Sequence, residues 1–230
     1  MTLKAIIWDL DGTLIHFNID FLQARREAIR ILKEHGISRG ELTVRKSILE
    51  NVEHSVEIFK NKGISPQQIQ SIITKIDTRV AEIEFEAALE AKRIDHIEDV
   101  VQFAKDKGLK QAIYTFNTHK NAETSLKNVE LFEYFDIIVG RDDVENPKPH
   151  KDHLLTICSK LDVEPDDTLV IGDTYRDIQG AKIVGAKSIA IKTKTSGFSN
   201  KEIFNSADAI VEQEEISEKL IPTIKGFLDF

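Results

Sequence analysis

Continuous apolar runs recur along the chain at 5–8, 111–115, 137–140, 168–172, 188–191 and 209–211. They are rich in Ile, Val and Ala, most are bounded by polar turns, and they do not alternate with polar residues. That is how strands buried on both faces look. Between them, apolar residues return at helical spacing over 97–107, 119–131, 152–161, 177–185 and 216–228. Strand and helix therefore take turns, which predicts a parallel sheet with helices on both faces, an α/β fold.

The stretch 17–90 breaks this rhythm, because it holds no convincing strand. Phe21, Leu22, Ile29 and Leu32 sit at helical spacing, and Gly36 and Gly40 bracket a break. The patterns over 42–60 and 66–89 are helical again, separated by an Asn-Lys-Gly stop and a Ser-Pro start. The expectation is an all-α domain at 17–90, inserted after the first strand of a core domain made of 1–16 and 91–230.

Composition narrows the function classes. Of 230 residues 41% are hydrophobic and 30% charged, a globular balance, and the formal net charge is −8. No basic patch stands out along the chain, which argues against a nucleic-acid partner. Cys158 is the single cysteine; it suits a reducing compartment and reads as a buried helix residue. No apolar run approaches the roughly 20 residues of a membrane span, and the N-terminal run stops at Asp9, too short for a signal-peptide core. A cytoplasmic enzyme with no membrane partner is the expectation. Walker-type, G-x-G-x-x-G and H-E-x-x-H patterns are absent.

The candidate chemistry lies where strands end. Residues 5–13 read A-I-I-W-D-L-D-G-T, an apolar run that drives into Asp9 and Asp11. Ligands of open parallel sheets bind at the carboxyl ends of strands, and carboxylates two apart in extended chain point the same way. On these residues alone a solvated turn explains the pattern equally well. Residues 168–177, T-L-V-I-G-D-T-Y-R-D, repeat the motif: a strand ends in Asp173, with Asp177 one helical turn on. Four carboxylates at one sheet edge need a counter-charge, and a hard divalent cation such as Mg²⁺ supplies it. Thr115 and Asn117 follow the second strand in T-F-N, and Lys148 lies between Pro147 and Pro149 in N-P-K-P-H. The prolines hold an extended loop, and an ammonium there suits a phosphoryl group.

D-L-D-G-T, T-F-N, K-P and G-D-T-Y-R-D, in this order, resemble the haloacid dehalogenase superfamily over nearly the whole chain. The insertion is similar to the helical cap of its phosphoglycolate phosphatase and β-phosphoglucomutase branch. The resemblance implies a Rossmann-like core with a small all-α cap, and a Mg²⁺-dependent phosphatase acting on a small phosphate monoester. It implies Asp9 as the nucleophile that becomes an aspartyl-phosphate. Asp11 would be general acid and base, with its backbone carbonyl on Mg²⁺. Thr115, Asn117 and Lys148 would hold phosphoryl oxygens. By the same resemblance Asp9, Asp11, Asp173 and Asp177 would form the metal site, Asp177 either supporting the metal or orienting Lys148. An intervening Phe116 separates Thr115 from Asn117 where the commoner pattern has them adjacent, and Trp8 stands where phenylalanine is commoner.

Four residues near the start of the insertion, His16, Asn18, Arg25 and Arg26, face the catalytic loop if a cap closes, and either arginine would suit an anionic substrate tail. A solvated helix face accounts for the arginines more simply. Asp142-Asp143 reads as a turn, and His119 as a helix start. A phosphomutase of β-phosphoglucomutase type is the main alternative; a metal-free dehalogenase has no need for Asp11, and a silent module no need for the full residue set. The natural substrate and the oligomeric state are not encoded in these motifs.

Overall fold

One parallel sheet carries all six strands of the computed structural model, which describes residues 3–16, 21–194 and 200–228. The strands are β1 (Ala5–Trp8), β2 (Lys110–Tyr114), β3 (Ile137–Val139), β4 (Thr168–Gly172), β5 (Lys187–Lys192) and β6 (Ala209–Glu212). Their order is β3-β2-β1-β4-β5-β6, and every neighbouring pair is parallel. Each apolar run is thus a strand, with ends shifted by a residue or two. The helices are α1 (Phe21–Glu34), α2 (Ile48–Asn61), α3 (Pro66–Leu89), α4 (Ile97–Asp106), α5 (His119–Asn128), α6 (Lys151–Leu161), α7 (Tyr175–Val184), α8 (Lys201–Phe204) and α9 (Ile221–Leu228).

Burial on both faces explains the unbroken apolar runs. Ile6 and Trp8 of β1, Ile113 of β2 and Leu169 and Ile171 of β4 enter one core with Ile97, Val100 and Val101 of α4, Leu126 of α5 and Ile224 of α9. The alternate residues Ala5, Ile7, Ala112, Tyr114 and Val170 enter a second core with Leu154, Ile157, Cys158 and Leu161 of α6 and Ala181 of α7. One strand therefore feeds two cores by its period of two. The Trp8 indole Nε1 donates to the buried Gln111 Oε1 at 3.1 Å, and Gln111 Nε2 donates to the carbonyls of Val101 and Tyr134. Cys158 is buried, as expected.

Two compact units divide the chain: Met1–Phe17 with Ala88–Phe230, and Asn18–Ala87. The second is helical and has a core of its own, made of Ala28, Ile29, Ile31 and Leu32 of α1, Phe59 of α2, Ile69, Ile72 and Ile76 of α3, and Ile37 and Leu42 from the connection. Its middle helix starts later than periodicity predicts, at Ile48 rather than Leu42. Ser47 and Glu50 form a capping box. The Asn51 amide accepts from Thr43 N and donates to the carbonyls of Thr43 and Ser47. These bonds satisfy the loop's backbone outside a helix, and local side-chain bonding of this kind competes with helix formation.

Phe59 is 1% exposed, and Phe59→Ala is expected to destabilise the helical unit by about 3–5 kcal/mol. Urea unfolding checks this; a loss below about 1 kcal/mol would mean that the site collapses around the cavity.

Candidate active site

The strand order reverses between β1 and β4, whose following connections leave in opposite directions, so a crevice opens at their carboxyl ends. Trp8 pairs with Ile171, and Asp9 N–H continues the ladder to the Ile171 carbonyl at 2.8 Å. That register sets Asp9, 4% exposed, beside Asp173, 7% exposed. The chain then turns through Gly12 at φ +88°, where a Cβ would lie 2.4 Å from Asp173 Oδ2. Only glycine supplies both the positive φ and the missing volume. Gly172 is equally confined, since a Cβ there would lie 2.4 Å from Asp177 Cγ.

Lys148 reaches this crevice from the loop before α6, with a cis peptide bond to Pro149. Its buried ammonium donates to Asp9 Oδ1, to Asp177 Oδ1 at 2.7 Å and to the Tyr114 carbonyl at 3.0 Å. All three ammonium donors are thereby used. The second Asp177 oxygen accepts from Thr174 N and Thr174 Oγ1 at 3.0 and 2.6 Å, a capping box that starts α7. Asp177 thus ties the lysine to a helix N-terminus.

Charge in the crevice is unbalanced. Burial works against the Lys148 ammonium, yet Asp177 and Asp9 together hold it well above its ordinary value. Burial pushes the Asp9 carboxyl up, opposed by Lys148 and reinforced by Asp177 and Asp11. Burial likewise raises Asp173, followed by the charges of Asp9 and Asp177. The lysine meets two carboxylates, whereas each carboxylate meets one ammonium and several like charges. Among the described residues, buried Asp173 Oδ1 has no hydrogen-bond partner. One oxygen each from Asp9, Asp173 and Asp177 lie within 4.8 Å of one another. An all-oxygen donor set with an orphaned carboxylate oxygen fits Mg²⁺.

The remaining residues from the motifs ring this cluster. Thr13 Oγ1 donates to Asp9 Oδ2 at 3.4 Å. Asp11 is half-buried, and its Oδ2 accepts from Asn117 Nδ2 at 3.3 Å. Thr115 is fully buried, and its Oγ1 accepts from Asn117 N at 3.0 Å. The intervening Phe116 therefore leaves Asn117 pointing its amide at Asp11.

The family model for haloacid dehalogenase-like hydrolases matches residues 6–191, from the first strand through the fifth. The chain belongs to this family. Pyrophosphatase PpaX of Bacillus mycoides is 29% identical over 210 residues, covering 86% of this chain and 87% of the relative. Among solved structures, β-phosphoglucomutase from Clostridium difficile superposes with a TM-score of 0.70 at 18% identity, covering 99% and 98% of the two chains. CbbY from Rhodobacter sphaeroides, solved in complex with phosphate, gives 0.65 at 21% identity over the full length of both.

The haloacid dehalogenase-like core also uses residues that the motifs do not announce. His153 is fully buried. Its Nε2 lies 2.9 Å from the Val139 carbonyl, and its Nδ1 lies 3.1 Å from Lys148 N. A carbonyl only accepts, so Nε2 carries the proton and Nδ1 accepts from the Lys148 backbone. Burial foremost lowers His153 to about 4, which keeps the ring neutral. Tyr114 stacks its ring edge-on to His153 at 4.6 Å and lies under the Lys148 ammonium at 4.8 Å. Only a buried, β-sheet-to-loop pairing specifies these two, and a lone histidine in α6 carries no sequence signal of it.

Elsewhere the structure sorts the weaker candidates. His16 N donates to the Lys92 carbonyl, and Arg25 Nη1 donates to the Val44 carbonyl at 3.1 Å. Asn18 lies outside the described residues. Asp143 accepts from Gly140 N in a short turn and pairs with His119, the first residue of α5. The absence of a basic patch needs correction: Arg26, Arg30, Lys33 and Arg39 line one cavity of about 450 Å³ in the helical unit. Helical spacing in α1 aligns the first three, which linear reading scatters. Arg30 there is bonded to Glu27 and Glu34. No described helix is long and apolar enough to cross a membrane.

Two predictions follow from this geometry. A folded-state value near 4 against 6.5 for a free histidine means that neutral His153 favours folding. That contribution is complete above pH 6.5 and is lost as pH falls towards 4, on the order of 2 kcal/mol between pH 7 and 5. His153→Asn should flatten the wild-type stability slope in urea titrations over that range; parallel slopes would refute it. Tyr114 Oη is buried without a partner, so Tyr114→Phe should leave stability unchanged or raise it by up to about 1 kcal/mol. A clear loss in the same titration would reveal a partner for the hydroxyl.

Proposed function

We propose that this hydrolase is a Mg²⁺-dependent phosphatase that cleaves a small phosphate monoester through an aspartyl-phosphate on Asp9. The observation that carries the reading is the Lys148 ammonium bridging Asp9 and Asp177 beside the unpartnered Asp173 Oδ1. Asp9, Asp173 and the backbone carbonyl of Asp11 would hold Mg²⁺, which neutralises carboxylate and phosphoryl charge when bound. We assign Asp177 to orienting Lys148, since both its oxygens already accept from protein donors.

An ionised Asp9 carboxylate needs no base to act as nucleophile. Its oxygen attacks phosphorus, the bond from phosphorus to the leaving oxygen breaks, and that oxygen takes a proton from Asp11. Water then attacks the aspartyl-phosphate and returns a proton to Asp11. The acyl-phosphate P–O bond breaks, giving inorganic phosphate and free Asp9. Asn117, donating to Asp11 Oδ2, orients the acid. Lys148 and Thr115 meet the phosphoryl oxygens, so that positioning and charge stabilisation supply most of the rate. Membership of the hydrolase family and the pyrophosphatase relative favour water as the acceptor. Asp11 and the oxygen cluster argue against metal-free dehalogenation.

The test is p-nitrophenyl phosphate hydrolysis with Mg²⁺, with EDTA, and in Asp9→Asn. EDTA should abolish turnover, and Asp9→Asn should lower kcat by about 10³-fold or more. A variant that keeps its activity, or a rate indifferent to EDTA, would sink the reading. Inorganic pyrophosphate belongs in the same assay, and sugar-phosphate product analysis separates a mutase.

A further inference from the structure

Arg176 sits between Tyr175 and Asp177 in the first turn of α7, and its side chain is exposed. Its guanidinium lies 5.6 Å from the centroid of the Phe116 ring and 5.4 Å from that of Tyr175. Phe116 is itself 46% exposed, a large apolar ring left open in the segment that joins Thr115 to Asn117. The backbone behind it is fixed, because Arg141 Nη1 donates to the Phe116 carbonyl at 2.8 Å. Among the described residues no carboxylate pairs with Arg176, although Asp173 and Asp177 flank it in sequence. Asp177 is unavailable, since Lys148 and Thr174 occupy both its oxygens.

A guanidinium within about 6 Å of two ring centroids is attracted to both while its N–H groups stay free to bond. The rings restrict the side chain before any ligand arrives, so less ordering remains on binding. The planar fork matches carboxylate or phosphate oxygens two at a time. Phe116 and Arg176 each adjoin residues assigned to the phosphoryl site, Thr115 and Asn117 on one side and Asp177 on the other. We propose that Arg176, beside Phe116 and Tyr175, is a specificity-determining residue that takes a second anionic group of the substrate. This rests on the phosphatase reading and narrows it to substrates with a carboxylate or second phosphate beyond the phosphoryl group transferred.

The experiment compares wild type with Arg176→Met, which keeps the apolar stem on the rings, and with Arg176→Lys, which keeps the charge but not the fork. The substrates are inorganic pyrophosphate, 2-phosphoglycolate and p-nitrophenyl phosphate. Arg176→Met should lower kcat/KM for the first or second, relative to p-nitrophenyl phosphate, by about 10–100-fold, mainly through KM. Arg176→Lys should fall between. The substrate more affected identifies the second group as phosphate or carboxylate. An unchanged ratio for both overturns the assignment while leaving the phosphatase intact. Calorimetric titration of pyrophosphate and of phosphoglycolate into Asp9→Asn, with and without Arg176→Met, reads the contact without turnover. Equal affinities for both ligands would overturn it even if wild type hydrolysed none of the three.

Discussion

Three hydrogen bonds from one buried ammonium hold the site together. Lys148 ties β1 through Asp9, β2 through the Tyr114 carbonyl and α7 through Asp177. Burying a charge is costly unless it is paired and fully bonded, and here every donor has a partner. Removing the ammonium would leave Asp9 and Asp177 as buried like charges with no cation between them. Gly12 and Gly172 admit no Cβ against Asp173 and Asp177. His153, held neutral, accepts the Lys148 backbone N–H and fixes the loop from below.

The lysine does not balance the crevice, however. It answers two carboxylates and leaves Asp173 without a partner for Oδ1. The residual negative charge suits a divalent cation. The protein cage is shaped for binding in a way that costs it stability in isolation, as functional sites commonly do.

Much of this was legible in residue order. Unbroken apolar runs marked all six strands, and in β1, β2 and β4 two cores claim alternate residues. Carboxylates at strand ends marked the crevice because parallel sheets present those ends together. Legibility failed where side chains override local periodicity. Asn51 and the Ser47–Glu50 box hold 42–47 out of a helix that the apolar spacing supports. It failed again where the fold joins residues far apart: His153 with Lys148 and Val139, Phe116 with Arg176, and the four cations around the α1 cavity. The first two pairings depend on how strands and helices stack, and the cation cluster on which face of α1 its residues share.

The strand order also governs how the site can be made. β1 is central, with β2 and β4 as its neighbours, yet it leaves the ribosome first. Its register partners begin at Lys110 and Thr168, so this strand has no sheet to join until the helical unit and α4 have been made. Meanwhile Asn18–Ala87 brings its own core and can consolidate early. During that interval the four-residue apolar strand Ala5–Trp8 has no sheet partner. Its brevity, with Asp9 and Asp11 close behind, limits its tendency to pair with other nascent chains. The carboxylates that meet Lys148 and Asn117 in the folded crevice would thus act first as gatekeepers.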